Sequence, residues 1–367
     1  MTIKEDVMAV LHREPPKRIP WLIYDIPYPM LPRGSWEREL RNKGLGLIGI
    51  MGFYPCGNVY LTETPNVVIE KRPIIQGNRT IVTTIYHTPV GDISKKEDWS
   101  ISPPNPWILE YPIKSLSDFE VLKFIIEDTI YRPNYEAATW VERHIGDDGY
   151  VKAGCRSPFQ SLLLDYMGYK TLAMAVYRHR KEFESLLKVM EKKYFEVIQI
   201  LADSPVKVIE IDSNINGRVT SPTFFEKYLL PVYKKANEIL HQKDKVTSAH
   251  MDGALSCLKD LIPKTGLDMI EAFTPPPVGD LSLSEARAAW GHDIIISANF
   301  PETECIKGVD TVKQVTKKIL KEVAPGDCFM LTVTEDIPYK APNDILEPSL
   351  RAITNIMWKY GKYPLKL

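Results

Sequence analysis

Short apolar runs and amphipathic stretches alternate along most of the chain. Apolar runs bounded by turn residues are typical of buried strands, and eight of them lie outside one β-rich segment. The predicted strands are Ile19–Tyr24, Leu45–Met51, Tyr150–Gly154, Val206–Asp212, Val246–His250, Asp268–Ala272, Ile294–Ala298 and Cys328–Thr334. Apolar residues at helical spacing follow most of them. Strands that alternate with helices imply parallel crossovers, so eight such units predict a (β/α)8 TIM barrel.

Some helical stretches have recognisable ends, because Gly44 stops the helix at 36–43 and Gly146 closes the helix at 134–144. Helices are predicted at residues 2–13, 36–43, 134–144, 181–201, 222–241, 255–262, 282–290, 312–323 and 346–360. Further helices begin near Ser115 and Phe159.

One segment departs from this pattern. Residues 59–90 are rich in β-branched residues and carry a turn signal at Gln76-Gly77-Asn78, which predicts an antiparallel hairpin inserted after the second strand. We therefore expect one barrel domain over residues 1–367, with this insertion near its mouth. A chain of 367 residues also fits two ordinary domains. An open doubly wound sheet is the structural alternative, and it is less favoured because no GxGxxG or GxxxxGK[ST] segment follows a strand.

The composition argues against several classes of partner and cellular location. The 46 basic and 47 acidic side chains nearly cancel, so we expect neither nucleic acid nor an anionic membrane as partner. The five cysteines are scattered without a CxxC pair, and the amino-terminal residues lack the apolar core of a secretion signal. We therefore expect a cytoplasmic protein. Its oligomeric state is left open, with a homodimer among the alternatives.

The stretch VTSAHMDG, residues 246–253, ends a predicted buried strand in His250 and Asp252. Side chains two apart on a strand point to the same face, so these two should lie together. An imidazole beside a carboxylate forms either a hydrogen-bonded pair or two ligands of a divalent metal. The alternative is that Asp252 caps a helix that begins near Ala254.

Polar side chains also follow most of the other predicted strands. Because active sites of such barrels lie at the carboxyl ends of the strands, their recurrence predicts a site at that mouth. They are Tyr24 and Asp25, Tyr54 and Cys56, Cys155 and Arg156, Asp212 and Asn214, Glu271, Asn299, and Glu335 and Asp336.

Several of these blocks resemble the uroporphyrinogen decarboxylase superfamily. The similar segments include IEIDSNINGRVTSPTFFEKYLLPVYKKANEI, AHMDG, GLDMIEAFTPPPVGDLSLSEARAAWG, IIISANFPETECIKG and MLTVTEDIPYKAPNDILEPSLRAI, with TIYHTPVGDI, YPIKSLSDFEVLK and SPFQSLLLDYMGYKTL upstream. The resemblance covers nearly the whole chain. It implies a single (β/α)8 barrel with its site at the carboxyl ends of the strands.

Two chemistries compete within that superfamily. Porphyrinogen decarboxylases carry an arginine-rich RQAGR segment after the first strand, whereas this chain reads YDIPYPMLPRG with Arg33 alone. Corrinoid-linked methyltransferases bind zinc through His-x-Cys and a later Cys. His250 matches that histidine, while Asp252 and Glu335 stand in place of the cysteines. The resemblance thus implies a metal held by His250, Asp252 and Glu335, with Glu271 as substitute ligand.

Carboxylates in place of thiolates make a metal harder and more suited to polarising oxygen than sulfur. The resemblance therefore implies a methyltransferase that demethylates a methoxylated aromatic substrate, with zinc or another divalent metal. The chain holds no DxHxxG segment, so a small separate corrinoid protein would accept the methyl group. In this interpretation His250, Glu335 and Asp212 are catalytic, and the substrate-binding residues are Tyr24, Asn214, Phe273 and Asn299.

Asp212 and Asn214 are also two residues apart, and on one face they would hydrogen-bond a hydroxyl ortho to the ether. Alternatively they brace the loop before the helix at Pro222. Two other functions stay open: a metal-free decarboxylase or lyase acting on a smaller acid through Asp25 or Asp212, and a non-catalytic corrinoid- or tetrapyrrole-binding barrel.

Overall fold

The computed structural model describes residues 2–25, 35–100, 106–334 and 345–366. Its strands, in chain order, are β1 (Trp21–Asp25), β2 (Leu45–Ile50), β3 (Tyr60–Glu63), β4 (Val68–Gln76), β5 (Arg79–Thr88), β6 (Gly91–Asp98), β7 (Trp107–Glu110), β8 (Ile130–Pro133), β9 (Gly149–Gly154), β10 (Val208–Glu210), β11 (Val246–His250), β12 (Met269–Phe273), β13 (Ile295–Asn299) and β14 (Phe329–Val333).

The α-helices begin and end mostly where the sequence predicts them. They are α1 (Ile3–Leu11), α2 (Trp36–Arg41), α3 (Asp118–Asp128), α4 (Tyr135–Ile145), α5 (Pro158–Ser161), α6 (Gly168–Arg178), α7 (Arg180–Asp203), α8 (Gly217–Thr220), α9 (Pro222–Phe224), α10 (Leu230–His241), α11 (Leu283–Trp290), α12 (Val309–Val323) and α13 (Glu347–Tyr360). The predicted helix at 255–262 is wrong, because that stretch forms only the short 3-10 segments Ser256–Leu258 and Ile262–Thr265. None of the described helices has both the length and the apolar character needed to cross a membrane.

The described residues form two compact units. The barrel unit contains those of Met1–Val59, Asn134–Gly154 and Leu201–Leu367, and the second unit contains those of Tyr60–Pro133 and Cys155–Ile200. The expectation of a single domain over residues 1–367 stays a prediction.

The barrel unit holds a closed sheet of eight strands in the order β1-β14-β13-β12-β11-β10-β9-β2. Every neighbouring pair is parallel, so the (β/α)8 prediction is confirmed and the open sheet is wrong. In such a barrel all strand carboxyl ends meet at one mouth.

Apolar side chains fill the barrel interior near the amino ends of the strands. One buried cluster joins one residue from each barrel strand, and Cys328 just before β14, to Val7, Val10 and Leu11 of α1: Leu22, Ile48, Tyr150, Val208, Val246, Met269, Ile295, Cys328 and Met330. Burying a side chain of this size contributes roughly 1.5–3 kcal/mol. Helix α1 is itself fixed by a capping box, in which Thr2 and Glu5 each accept a hydrogen bond from the other's backbone N–H.

The second unit contains the inserted β structure. Strands β4 and β5 pair antiparallel up to Gln76 and Arg79, so Gly77 and Asn78 form the predicted two-residue turn. The insertion is larger than the predicted hairpin, because β6 and β7 extend the sheet to four strands and β3 pairs with β8. The Ser/Pro-rich stretch before Trp107 concealed the last strand of that sheet from the sequence pattern.

Candidate active site in the barrel lumen

Towards the mouth, the barrel interior is lined by charged and polar side chains. Alternation along each strand turns residues two or four positions after a core residue to the same inner face. The inward positions that follow the apolar cluster are occupied by Tyr24 on β1, Lys152 on β9, Glu210 on β10, His250 on β11 and Glu271 on β12. We call these five residues the lumen cluster.

His250 and Glu271 form the centre of the lumen cluster. The two residues are register partners on β11 and β12, and His250 Nδ1 lies 2.7 Å from Glu271 Oε2. A neutral imidazole bonded to a carboxylate carries its proton on the bonded nitrogen, which leaves the Nε2 lone pair available. Tyr24 donates its hydroxyl proton to Glu271 Oε1 over 2.7 Å and lies 3.2 Å from His250 Nδ1.

Lys152 supplies the positive charge of the cluster. Its Nζ lies 2.6 Å from Glu210 Oε2 and 3.1 Å from Glu271 Oε2, and it donates to the Tyr24 hydroxyl over 2.8 Å. Burial alone would lower the pKa of Lys152, but the two carboxylates outweigh burial and raise it. On Glu271, burial alone would raise the pKa, but Lys152 and His250 outweigh burial and lower the pKa to about 2. The cluster therefore holds the Lys152 ammonium group and an ionised Glu271 carboxylate at neutral pH.

The lumen cluster has the donor set of a divalent metal site. One ligand atom each from Glu210, His250 and Glu271 lie within 4.8 Å of one another. Imidazole nitrogen and carboxylate oxygen are ligands that zinc accepts. On the other side of the imidazole, Asp252 Oδ2 lies 3.8 Å from His250 Nε2. Glu335, the further predicted ligand, lies outside the described residues.

Asp252 does not cap a helix. Asp280 Oδ1 accepts hydrogen bonds from the backbone N–H groups of Leu255 and Ser256, at 2.7 and 3.0 Å. The helix-cap alternative is therefore wrong, and the Asp252 carboxylate stays near His250.

Comparison with known proteins agrees with this fold. A family model described as Uroporphyrinogen decarboxylase (URO-D) matches residues 101–355, more than two-thirds of the chain. The chain belongs to the uroporphyrinogen decarboxylase family. The family resemblance seen in the sequence is thus confirmed.

Curated relatives within the family are distant. The uroporphyrinogen decarboxylase of Trichlorobacter lovleyi is 22% identical over 287 residues, and that of Geobacter sulfurreducens 24% over 295 residues. Each alignment covers 75% of this chain and 81% of the relative. Among solved structures, a methyltransferase from Methanosarcina mazei superposes with a TM-score of 0.63 at 14% identity, over 98% of this chain and 99% of that one. At this identity the superposition shows a shared fold.

Asp212 and Asn214 do not extend a strand in this URO-D family barrel. Strand β10 ends at Glu210, and Asn214 is exposed with a φ of 57°, so the alternation assumed for the pair is broken. The fully buried Asp212 carboxylate accepts from the Tyr233 hydroxyl over 2.8 Å and from the backbone N–H of Ser213 over 2.9 Å. This geometry favours the bracing interpretation over the catalytic and substrate-binding roles.

Phe273 points away from the lumen. The ladder between β12 and β13 shifts register next to Ala272, whose φ is 58°, and Phe273 then pairs with the outward Ala298. Its ring packs edge-on against Trp290 of α11, with centroids 5.7 Å apart. A backbone irregularity reverses the expected alternation here. The outward position disfavours a contact of Phe273 with substrate, which stays a prediction.

Asn299 is inward but fully buried, and its amide joins neighbouring strand ends. Its Nδ2 donates to Thr274 Oγ1 over 3.2 Å and to Glu302 over 3.3 Å, while its Oδ1 accepts from the backbone of Thr334 over 2.9 Å. These bonds brace the carboxyl ends of β13 and β14, and a role of Asn299 in substrate binding stays a prediction.

Lys152 and Glu210 were not singled out in the sequence. Both are charged residues inside apolar runs, YVKAG and KVIEID, two positions after a core residue. A charge at an inward position of a predicted strand is the signal that identifies them, since charged residues are almost never fully buried unless they are paired.

Proposed function

We propose that this URO-D family protein is a corrinoid-dependent methyltransferase. It removes a methyl group from an O-methyl donor, in our proposal a methoxylated aromatic compound, and transfers it to a Co(I) corrinoid on a small separate protein. The observation that carries this proposal is the set of nitrogen and oxygen donors around His250, which includes no thiolate among the described residues. The structural likeness to a methyltransferase supports the activity class.

The reaction breaks the bond between the methyl carbon and the ether oxygen. The corrinoid supplies the electron pair of the new cobalt–carbon bond, while the electrons of the broken bond stay on the oxygen, which then takes up a proton. The barrier arises because an alkoxide or phenolate is a poor leaving group. A divalent metal bound at this site would act as a Lewis acid towards that oxygen.

The residues of the chain prepare this chemistry. Glu271 holds the proton of His250 on Nδ1 and so directs Nε2 towards Asp252. Lys152 and Tyr24 hold protons directly beside the imidazole, with the Tyr24 hydroxyl 3.2 Å from Nδ1. These groups sit on barrel strands rather than on mobile loops, which keeps them preorganised.

The second candidate is a decarboxylase, because the curated relatives are uroporphyrinogen decarboxylases. A porphyrinogen substrate is disfavoured by the single arginine, Arg33, in the segment after the first strand. For a smaller acid, the two acidic residues considered are engaged elsewhere: Asp212 accepts from Tyr233, and Asp25 accepts from the Tyr54 hydroxyl over 2.6 Å. The geometry therefore supports the methyltransferase better.

The test is direct methyl transfer. The protein is incubated with guaiacol or vanillate and free Co(I) cobalamin, and the absorption spectrum of methylcobalamin is followed together with the metal content. We expect methylcobalamin to form with the metal-loaded protein and not with the His250→Ala variant, which should lose the metal without unfolding. Release of CO2 from carboxylic acids, with no methyl transfer from any ether, would favour the decarboxylase instead.

A further inference from the structure

Lys152 is a buried cation at the centre of a group of metal-ligating side chains. Only 4% of its side chain is exposed, although lysine is almost always on the surface. Its ammonium group contacts carboxylate oxygens of Glu210 and Glu271 and lies 4.6 Å from the centroid of the Tyr24 ring. These groups, rather than water, are therefore the partners of the ammonium.

The space that Lys152 occupies has the donors of a cation site in its own right. Glu210, Glu271 and His250 each place a ligand atom within 4.8 Å of the others. Nδ1 is the imidazole nitrogen that lies on the Glu271 side, 2.7 Å from its Oε2. Two further oxygens face inward nearby. Ser248, the register partner of Glu210, and Tyr150, two residues before Lys152, each have a buried hydroxyl with no hydrogen-bond partner among the described residues. We call this set of donors the inner site.

The two ring nitrogens of His250 face different side chains. Nδ1 faces Glu271 and the inner site, whereas Nε2 faces Asp252 at 3.8 Å. A divalent ion bound to the inner carboxylates would lie about 2 Å from oxygens that the Lys152 ammonium already contacts. The metal ion and the Lys152 ammonium would then share the same carboxylate oxygens, and two positive charges so close together repel strongly in a poorly solvated interior.

We propose that Lys152 fills the inner site as a built-in ammonium cation and thereby confines the metal to the Nε2 side of His250. This inference rests on the metal of the proposed function and specifies where it binds. Lys152 is a positioning residue. It keeps Glu271 paired and available to orient the imidazole, and it prevents the metal from binding Nδ1, a position that would pull it away from the mouth and the substrate.

The experiment measures zinc binding by competition with a chromophoric chelator, and Co2+ absorption reports the ligand set. In the wild-type background, Asp252→Asn should weaken zinc binding at least about tenfold, the lower end of what loss of a metal-site partner costs. Glu210→Gln, a matched removal of a carboxylate charge on the other side of the imidazole, should weaken zinc binding far less than Asp252→Asn does. Lys152→Met should open the inner site, so that a second zinc equivalent binds and is lost again in the Lys152→Met/Glu210→Gln double variant.

The wild-type comparison keeps the proposal testable even if Lys152→Met, which leaves two buried carboxylates without their cation, fails to fold. Loss of zinc affinity in Glu210→Gln, with none in Asp252→Asn, would overturn the inference and leave the proposed metal intact. Zinc binding only after Lys152→Met would overturn both the inferred metal position and the proposed function, because the wild-type protein would then hold no zinc on the Nε2 side of His250. Zinc binding by neither background would overturn both.

Discussion

His250 and Glu271 face each other as register partners on neighbouring parallel strands, with Nδ1 and Oε2 2.7 Å apart. The backbone ladder fixes the spacing of their Cα atoms, so the hydrogen bond depends little on loop conformation. Glu271 is fully buried and ionised, which fixes both the tautomer and the ring orientation of the histidine. A histidine held in this way is a prepared metal ligand.

Glu271→Gln tests this relationship. The amide keeps the size of the side chain but removes the charge that holds the His250 proton on Nδ1. We expect zinc affinity to fall about 10- to 100-fold, the usual cost of removing such a partner. Zinc titration measures the change, and circular dichroism checks that the barrel stays folded.

A matched control is available in the second unit. Glu97 is also a buried glutamate and pairs with Lys95 over 2.7 Å, so Glu97→Gln removes a comparable charge from a comparable pair. This variant should bind zinc as the wild type does. Equal zinc affinities for Glu271→Gln and wild type would show that Glu271 does not orient the metal ligand.

Tyr233→Phe tests whether Asp212 is structural. The change leaves a buried carboxylate without the hydroxyl that donates to it over 2.8 Å, and an unsatisfied buried group of this kind costs about 1–3 kcal/mol, or more when charged. We expect the free energy of unfolding in urea to fall by this amount, with methyl transfer per folded molecule unchanged. A catalytic Asp212 would instead show itself as a loss of turnover at wild-type stability.

Phe273→Ala tests the outward position of this ring. The side chain is fully buried against Trp290, and truncation of a buried phenylalanine typically costs about 3–5 kcal/mol of stability. We expect the loss in thermal unfolding and no change in KM for the methyl donor. A raised KM with unchanged stability would return Phe273 to the substrate pocket.

The barrel could be predicted from sequence because its strands are short apolar runs separated by helices. The same periodicity located His250 and Glu271, which lie inside regular strands where alternation holds. It failed at Asp212, where β10 ends two residues earlier, and at Phe273, where a backbone irregularity at Ala272 reverses the faces. Neither event leaves a mark in the hydrophobic pattern.

The ion pair between Lys152 and Glu210 could not be predicted from the sequence for a different reason. Each residue is marked only by its charge at an inward strand position, and the two are 58 positions apart. Their pairing depends on β9 and β10 being neighbours in the barrel, with Val208 in register with Lys152. That contact is tertiary, so a single sequence without a strand order does not reveal it.

Asp268 makes the stability of the barrel unit depend on pH. Its Oδ1 lies 3.0 Å from Arg13 Nη2, and its Oδ2 lies 2.8 Å from His241 Nε2 and accepts from the backbone N–H of Thr247 over 2.9 Å. Burial alone would raise the pKa of Asp268, but the bonds from Thr247, Arg13 and His241 outweigh it and lower the pKa below its usual value.

The sign of the resulting pH dependence follows from linkage. A carboxyl with a lowered pKa in the folded state stabilises the protein above its unfolded pKa, about 3.9, and this contribution is lost as the pH falls through the folded value. Asp268→Asn should therefore lower the free energy of unfolding at pH 7, by about 1–3 kcal/mol for the broken charged bonds. Below about pH 4 the difference from wild type should shrink, because the wild-type carboxyl becomes protonated as well.

Urea denaturation of both proteins between pH 7 and pH 3 measures this difference. Asp310 provides the control, since its side chain is 89% exposed and pairs only with Lys313 among the described residues, so Asp310→Asn should track wild type at every pH. If the gap between wild type and Asp268→Asn stays constant down to pH 3, the carboxylate charge is not what stabilises this end of the barrel. The loss at pH 7 would then come from the packing and neutral hydrogen bonds of the side chain.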